Sequence, residues 1–329
     1  MALNFLTMDF ASVTVRVGEA DASVDISVYR HVLSAASPYF RNAFEGSFVE
    51  ATDRSISLTD VTEQTFRMFL QWVHSQKCQL SNGAAFPQLE ILVQNSTRKN
   101  VEQTTTSSTE QQFPQRTSSS PDAETLPDTT AALDELDERD GLKSVYHTNP
   151  EWINGWRLSL LSFLRLYIFA DKYNVPQLRD DVLTAMVAQS NAWNWWPDID
   201  RELLDSAYAN LPPSSKFIRL FVLSTAYCWL PELETCSATR IRTMMEMNEE
   251  FAFEVIVVQN QMLKDNMSSG GLPLWLEDAV PDSCTLHEHL VQEAKQCRKR
   301  IRDQPYIFTG LIEMCAQDAL GRTKKPGEG

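Results

Sequence analysis

The stretch that most constrains this chain is residues 29–50, YRHVLSAASPYFRNAFEGSFVE. Val32, Leu33, Ala36, Tyr39, Phe40, Ala43, Phe44 and Phe48 recur at spacings of three and four, the period that gathers apolar side chains on one helix face. Ser37-Pro38 divides that period into two short helices. A serine hydroxyl there accepts from first-turn amides that have no other partner, and a proline just after it forfeits no helical hydrogen bond. Arg41 and Asn42 fall on the opposite, polar face. The second helix is predicted to end at Glu45-Gly46-Ser47, with Gly46 in the left-handed turn conformation.

The flanking segments read as strands. In Ser12–Val17 the residues Val13, Val15 and Val17 alternate with Thr14 and Arg16, and residues 23–28 repeat the pattern with Val24, Ile26 and Val28. The short link from Gly18 to Ala22 joins them as an antiparallel hairpin, Gly18 supplying the turn. Residues 54–59 alternate again, with Ile56 and Leu58 inward. Thr62-Glu63 then opens a helix whose stripe is Phe66, Phe69, Leu70 and Val73, with Trp72 beside it.

Residues 79–155 interrupt this pattern. Runs such as Thr104-Thr105-Thr106-Ser107-Ser108-Thr109 lack the apolar density that offsets backbone ordering, so a disordered insertion is expected, either a tolerated surface loop or a segment phosphorylated at Ser120 before Pro121. Beyond it, residues 158–170 are apolar almost all round, the mark of a helix buried on most sides. Pro176 opens the next helix, with Leu178, Val182, Ala185 and Met186 inward. This hairpin is predicted to close the domain begun before the insertion. From residue 191 a mainly helical region follows, carrying Phe217, Phe221, Val222, Met244, Phe251, Val255, Val258 and Met262 at helical spacing. A flexible break is expected at Ser268-Ser269-Gly270-Gly271, helices at 287–302 and 306–320, and a frayed tail over 322–329.

The order strand, strand, helix, helix, strand, helix, together with Val28-Tyr29-Arg30, Leu33, Ser37-Pro38-Tyr39-Phe40, Gly46, Phe48-Val49-Glu50 and Ser55-Ile56-Ser57-Leu58, resembles the BTB (POZ) interaction domain. The likeness extends to Phe69-Leu70-Gln71-Trp72 and, past the interruption, to residues 166–173 and Val175-Pro176-Gln177-Leu178, in the manner of the filamentous-fungal branch. It implies an α+β fold: a BTB-like domain made of residues 1–78 and 156–190, a small sheet flanked by helical hairpins, split by the 79–155 insertion and followed by helical residues 191–329. Ser12 and Tyr29 stand where the family often has the aspartate and histidine of a charged dimer pocket, so that pocket does not carry over. Relatives of this fold seat the apolar residue of a triplet like Phe48-Val49-Glu50 in a cullin scaffold, which assigns Phe48 and Glu50 to partner binding alongside Tyr39 and Phe40. The resemblance implies a non-enzymatic module that self-associates as a homodimer or binds another protein. The alternatives are a substrate adaptor of a cullin-RING ubiquitin ligase and a transcription-associated regulator.

Composition narrows the function classes. A formal charge of −15 argues against a direct nucleic-acid binder, because phosphate contacts need a positive surface. No apolar run is long enough to span a membrane, and the first residues lack a secretory n-region. An intracellular protein of cytoplasm or nucleus, with six reduced cysteines, is the expectation. No phosphate-cradling glycine loop, nucleophile elbow or metalloprotease pair is present, so neither catalytic residues nor a cofactor are expected. Cys284, His287, His289 and Cys297 are ligand types that suit zinc, but their spacing matches no standard structural site. With the last three on one helix they would point apart. They are read as a fortuitous cluster, and no metal is expected. The basic run 295–302, KQCRKRIR, is read as the outer face of a helix rather than an import signal, and Trp193, Trp195 and Trp196 as packing between the two halves.

Overall fold

Val13, Val15 and Val17 turn into the core from β1 (Ser12–Val17), the central strand of a three-stranded sheet. In the computed structural model, which describes residues 11–76, 150–193, 199–228, 238–269 and 283–323, β1 pairs antiparallel with β2 (Val24–Tyr29), Val15 opposite Ile26. It pairs parallel with β3 (Ser55–Leu58), Val15 opposite Ile56. A parallel partner needs a crossover connection, and the helices of the 29–50 stretch supply it. Gly18 ends the first strand at φ 97°, the left-handed conformation expected of the turn.

The crossover is α1 (Arg30–Ala36) and α2 (Pro38–Glu45), divided at Ser37-Pro38 as the pattern predicts. Ser37 does more than cap. Its Oγ accepts from the Phe40 amide at 3.3 Å and donates to the Tyr173 carbonyl at 2.5 Å, tying the junction to a residue 136 positions away. The end of α2 differs from expectation. Gly46 is extended (φ −84°, ψ −162°), so its need for glycine is steric: a Cβ there would lie 2.4 Å from the Asn42 carbonyl oxygen. The left-handed residue is instead Arg54 (φ 50°), which closes a short helix α3 (Val49–Asp53) that the apolar period did not reveal. α4 (Glu63–Ser75) starts where expected, with Thr62 Oγ1 accepting from the Thr65 amide at 3.2 Å.

The next described helices, α5 (Pro150–Lys172) and α6 (Pro176–Trp193), meet at Asn174, whose φ of 50° makes the turn. Phe169 lies 4.8 Å from Phe69 and 6.5 Å from Phe40, centroid to centroid, while Tyr173 stacks on Phe40 at 5.6 Å. Trp72 donates through its indole N–H to Asp181 at 2.8 Å. α7 (Arg201–Asn210), α8 (Lys216–Cys228), α9 (Ala238–Met247), α10 (Glu249–Ser269), α11 (Ala294–Asp303) and α12 (Pro305–Thr323) follow. α12 packs on both α4 and α6, and α10 on α8 and α9. Buried apolar side chains from the sheet, from α1, α2, α4 to α10 and from α12 join in one continuous core.

Other differences concern the C-terminal region. The helix expected over 287–302 starts only at Ala294; before it come 3-10 turns at Ser283–Leu286 and Val291–Glu293. Ser268 and Ser269 belong to α10 and Arg322 to α12, where a break and fraying were expected. Of the expected insertion, residues 150–155 form the first turns of α5 and are not disordered, while residues 79–149 lie outside the described residues, as do Trp195, Trp196, Gly270, Gly271 and residues 324–329. Among the described residues no helix is long and apolar enough to cross a membrane.

Candidate functional site

The most exposed apolar side chains of the sheet-bearing region sit where α2 hands over to α3. Phe48, at the N-cap of α3, is 59% exposed, and Val49 beside it 65%. Glu50 falls in the first turn of α3, where a carboxylate faces the positive end of the helix dipole. The triplet therefore opens a helix rather than lying in a plain loop. Tyr39 is 40% exposed and braced edge-on against Tyr173 at 5.2 Å. Rigid aromatic side chains on an ordered base are what an interface uses as anchors.

Phe40, grouped with these from the sequence, is placed elsewhere. It is 0% exposed, stacked between Phe44 and Tyr173 and close to Phe69 and Phe169, so it belongs to the core and offers a partner nothing. Tyr39 and Phe40 are neighbours in sequence on a helix, about 100° apart, and only one of them faces solvent. Tyr29 is half-exposed and stacked on His31 at 5.8 Å.

A second exposed apolar surface was not foreseen: Phe253, Val257 and Leu263 on α10 and Met245 on α9 face outward, while Phe251, Val255, Val258 and Met262 face the core. The signal was present in residues 251–258, FAFEVIVV, which are apolar on both sides of a helix.

Cys284, His287, His289 and Cys297 are not arrayed along one helix. Cys284 sits in the Ser283–Leu286 turn, the two histidines in irregular backbone after it and Cys297 one turn into α11, and one ligand atom from each lies within 4.8 Å of all the others. Both cysteines are free thiols. A hydrogen bond with Cys284 holds the Cys297 thiol below its ordinary value against the effect of burial. Burial opposes protonation of His289, yet Cys284 and the Leu290 carbonyl together hold it above the usual imidazole value. The Thr184 hydroxyl, 2.8 Å from His287, comes from α6, and no signal in the sequence joined it to this group. On α11, Lys295, Lys299 and Arg302 are exposed as expected of an outer face. Arg300 turns inward, its guanidinium 2.5 Å and 2.7 Å from the Asp181 carboxylate and 2.7 Å from Gln76 Oε1.

The family model for the BTB/POZ domain matches residues 3–104. Over 75 residues, 23% of this chain, the sequence is 28% identical to Kelch repeat and BTB domain-containing protein 8 of Xenopus tropicalis and 30% identical to the protein of the same name from Danio rerio. The matched stretch covers 12% of each of those proteins. No solved structure matches. The sheet, the helix pair at Ser37-Pro38 and α4 lie inside the matched range: this chain carries a BTB/POZ domain, a domain that mediates protein–protein interaction and is not itself catalytic.

Proposed function

We propose that the chain is a non-enzymatic interaction protein whose BTB domain self-associates or docks a protein partner. The observation that carries this reading is the solvent-facing set Tyr39, Phe48 and Val49, beside the packed core to which α2 contributes. Apolar groups held out in water favour burial against a second surface, and a self-complementary patch is buried most simply in a two-fold dimer. Light scattering coupled to size-exclusion chromatography tests it: a dimeric mass is expected at micromolar concentration, and a strictly monomeric mass with no captured partner rejects self-association.

The cullin-adaptor reading has its own support in the exposure of Phe48 and the position of Glu50 at the start of α3. A pull-down with a cullin amino-terminal domain separates the two. Binding that is lost in Phe48→Ala and weakened in Glu50→Ala supports an adaptor, with the C-terminal helices gripping the substrate; no binding by the wild type discards it.

Residues 156–190 complete the domain in this reading. Support comes from the Ser37–Tyr173 hydrogen bond, the Phe69–Phe169 contact and Leu178 in the shared core. The likeness of residues 166–178 to the filamentous-fungal branch fits the same assignment. An intracellular setting accords with Cys284, Cys297 and Cys315 as free thiols.

A further inference from the structure

Residues 283–303 are fastened to the rest of the protein with very little hydrophobic burial. Leu286 and His287 are their only buried side chains among those described, and α11 buries none at all. A segment of this length with two buried residues falls far short of the apolar area that normally offsets chain ordering, and short elements of this kind are usually stapled by other means. Ion pairs at the periphery contribute part of the fastening: Arg179 to Glu288 at 2.5 Å and Arg300 to Asp181. At the centre of the segment stand two thiols and two imidazoles.

We propose that Cys284, His287, His289 and Cys297 form a structural zinc site that fixes the fold of the 283–303 segment, with Thr184 of α6 as the outer hydrogen-bond partner of His287. Four ligand atoms mutually within 4.8 Å enclose a point from which a metal reaches all of them. Tetrahedral zinc, with bonds of about 2.3 Å to sulfur and about 2.0 Å to nitrogen, sets ligand–ligand edges of roughly 3.3–3.8 Å. The longest edge therefore closes by about 1.0–1.5 Å on binding. Two thiolates and two imidazoles in that geometry select zinc over the hard cations, and a set of four protein ligands leaves no open position, which makes the site structural rather than catalytic.

The surroundings of the two histidines assign their ligand atoms. His289 Nδ1 lies 3.0 Å from the Leu290 carbonyl, which only accepts, so Nδ1 carries the proton and Nε2 the lone pair. That Nε2 is buried, and the group it faces is the Cys284 thiol of the same cluster. His287 presents Nδ1 to Cys297 Sγ at 3.1 Å and Nε2 to Thr184 Oγ1 on α6 at 2.8 Å; with Nδ1 as the metal ligand, Nε2 carries the proton and the Thr184 hydroxyl accepts it. Each imidazole thus gives its second nitrogen to an outer acceptor, the arrangement that orients a metal-binding histidine and raises its basicity. The rings stand nearly perpendicular, 80° apart with centroids at 5.4 Å, close enough to occupy two vertices of one tetrahedron without clashing. The Glu288 amide between them donates to Asp180 on α6 at 3.2 Å, which fixes the peptide that joins the two. A Cys284–Cys297 disulfide is the competing use of the sulfurs, and it leaves His289 Nε2 buried and unpaired.

The test uses the full chain, purified without a polyhistidine tag in reducing, chelator-free buffer. Elemental analysis is expected to find about one zinc per chain, and Cys284→Ser/Cys297→Ser to have lost it. Cobalt(II) exchanged into the wild type is expected to show thiolate-to-metal charge transfer and intense tetrahedral ligand-field bands. If the double variant does not fold, hydrogen exchange on the wild type decides: removing zinc with a chelator is expected to abolish protection in 283–303 while β1 keeps its own. Overturning results are a wild type with neither stoichiometric zinc nor cobalt bands, a double variant that retains its zinc, a Cys284–Cys297 disulfide under reducing conditions, or unchanged protection after zinc removal.

Discussion

The core around Phe40 and the segment 283–303 both hold to the helical hairpin α5–α6, and they do so by different physics. Around Phe40 the contacts are aromatic and dry: Phe44, Phe66, Phe69, Phe169 and Tyr173 fill a shared interior, and Ser37 and Trp72 bring their polar atoms in already paired. The segment brings two buried side chains and relies on charge, hydrogen bonds and the Cys/His group. The first kind of attachment is non-directional and scales with buried area. The second depends on a few groups keeping both protonation state and geometry, so it responds to pH, chelators and single polar substitutions that leave the first untouched.

The largest effect that separates them is Phe40→Ala. Removing a fully buried phenylalanine costs about 3–5 kcal/mol, and the loss is expected in the global urea transition of the whole core. A loss well below that, or a transition confined to the amino-terminal strands, breaks the claim that one interior spans both sides of the insertion.

Arg300→Ala comes next. It leaves the Asp181 carboxylate, 2% exposed, with Trp72 and Gln177 as donors but no cation. Breaking a buried pair costs about 3–5 kcal/mol, and because Arg300 retains some solvent contact about 2–3 kcal/mol is expected here. Hydrogen exchange is expected to place the weakening in α11 and α6 rather than the sheet. The double variant Arg300→Met/Asp181→Asn is expected to recover most of it, and failure to do so sharpens the attachment toward specific hydrogen bonds.

Acid provides a smaller test. Burial raises the pKa of Asp60, but Lys172 at 2.7 Å, a backbone hydrogen bond and the Tyr173 hydroxyl at 3.1 Å outweigh it and hold the carboxyl below its ordinary value. A depressed carboxylate contributes stability above its unfolded value of 3.8, and the contribution disappears as pH falls through the lower folded value. The half-exposed pair makes this loss small. Denaturation midpoints between about pH 5 and pH 2 are expected to fall less steeply in Asp60→Asn than in the wild type. Equal slopes show that Asp60 does not help close the domain.

Smallest is Phe48→Ala, where stability is expected to change by no more than about 0.5 kcal/mol because the side chain already faces water. Its thermal midpoint should match wild type while any dimer or cullin binding weakens. A large destabilisation marks Phe48 as a structural lid over α2 instead of an anchor.

The amino-terminal half was legible because its signals are local and periodic. Alternating valines at 13, 15 and 17, a helical period cut by Ser37-Pro38 and a Thr62 cap each declare an element within a dozen residues. Where the reading failed, the deciding contact was not local. Gly46 is needed because the Asn42 carbonyl approaches it, not because of its own φ, and Phe40 rather than Tyr39 faces inward because α5 covers that side. The exposed triplet was legible as a motif, but its place at a helix start was not, since α3 buries no residue and leaves no apolar period.

The sequence by itself determined the strand and helix order before the insertion, the division at Ser37-Pro38 and the acidic, interaction-type character of the chain. It also named four ligand-type residues, but it argued against their meeting, because a helical period over 287–302 sends them in different directions. Only the tertiary structure decided that they converge: α6 supplies Thr184 and Asp180, whose hydrogen bonds hold residues 287–289 in non-helical backbone, and α11 starts late enough to bring Cys297 back to Cys284. Periodicity reports which way a side chain points within its own element, and convergence of side chains from different elements is set by the packing of those elements against a third.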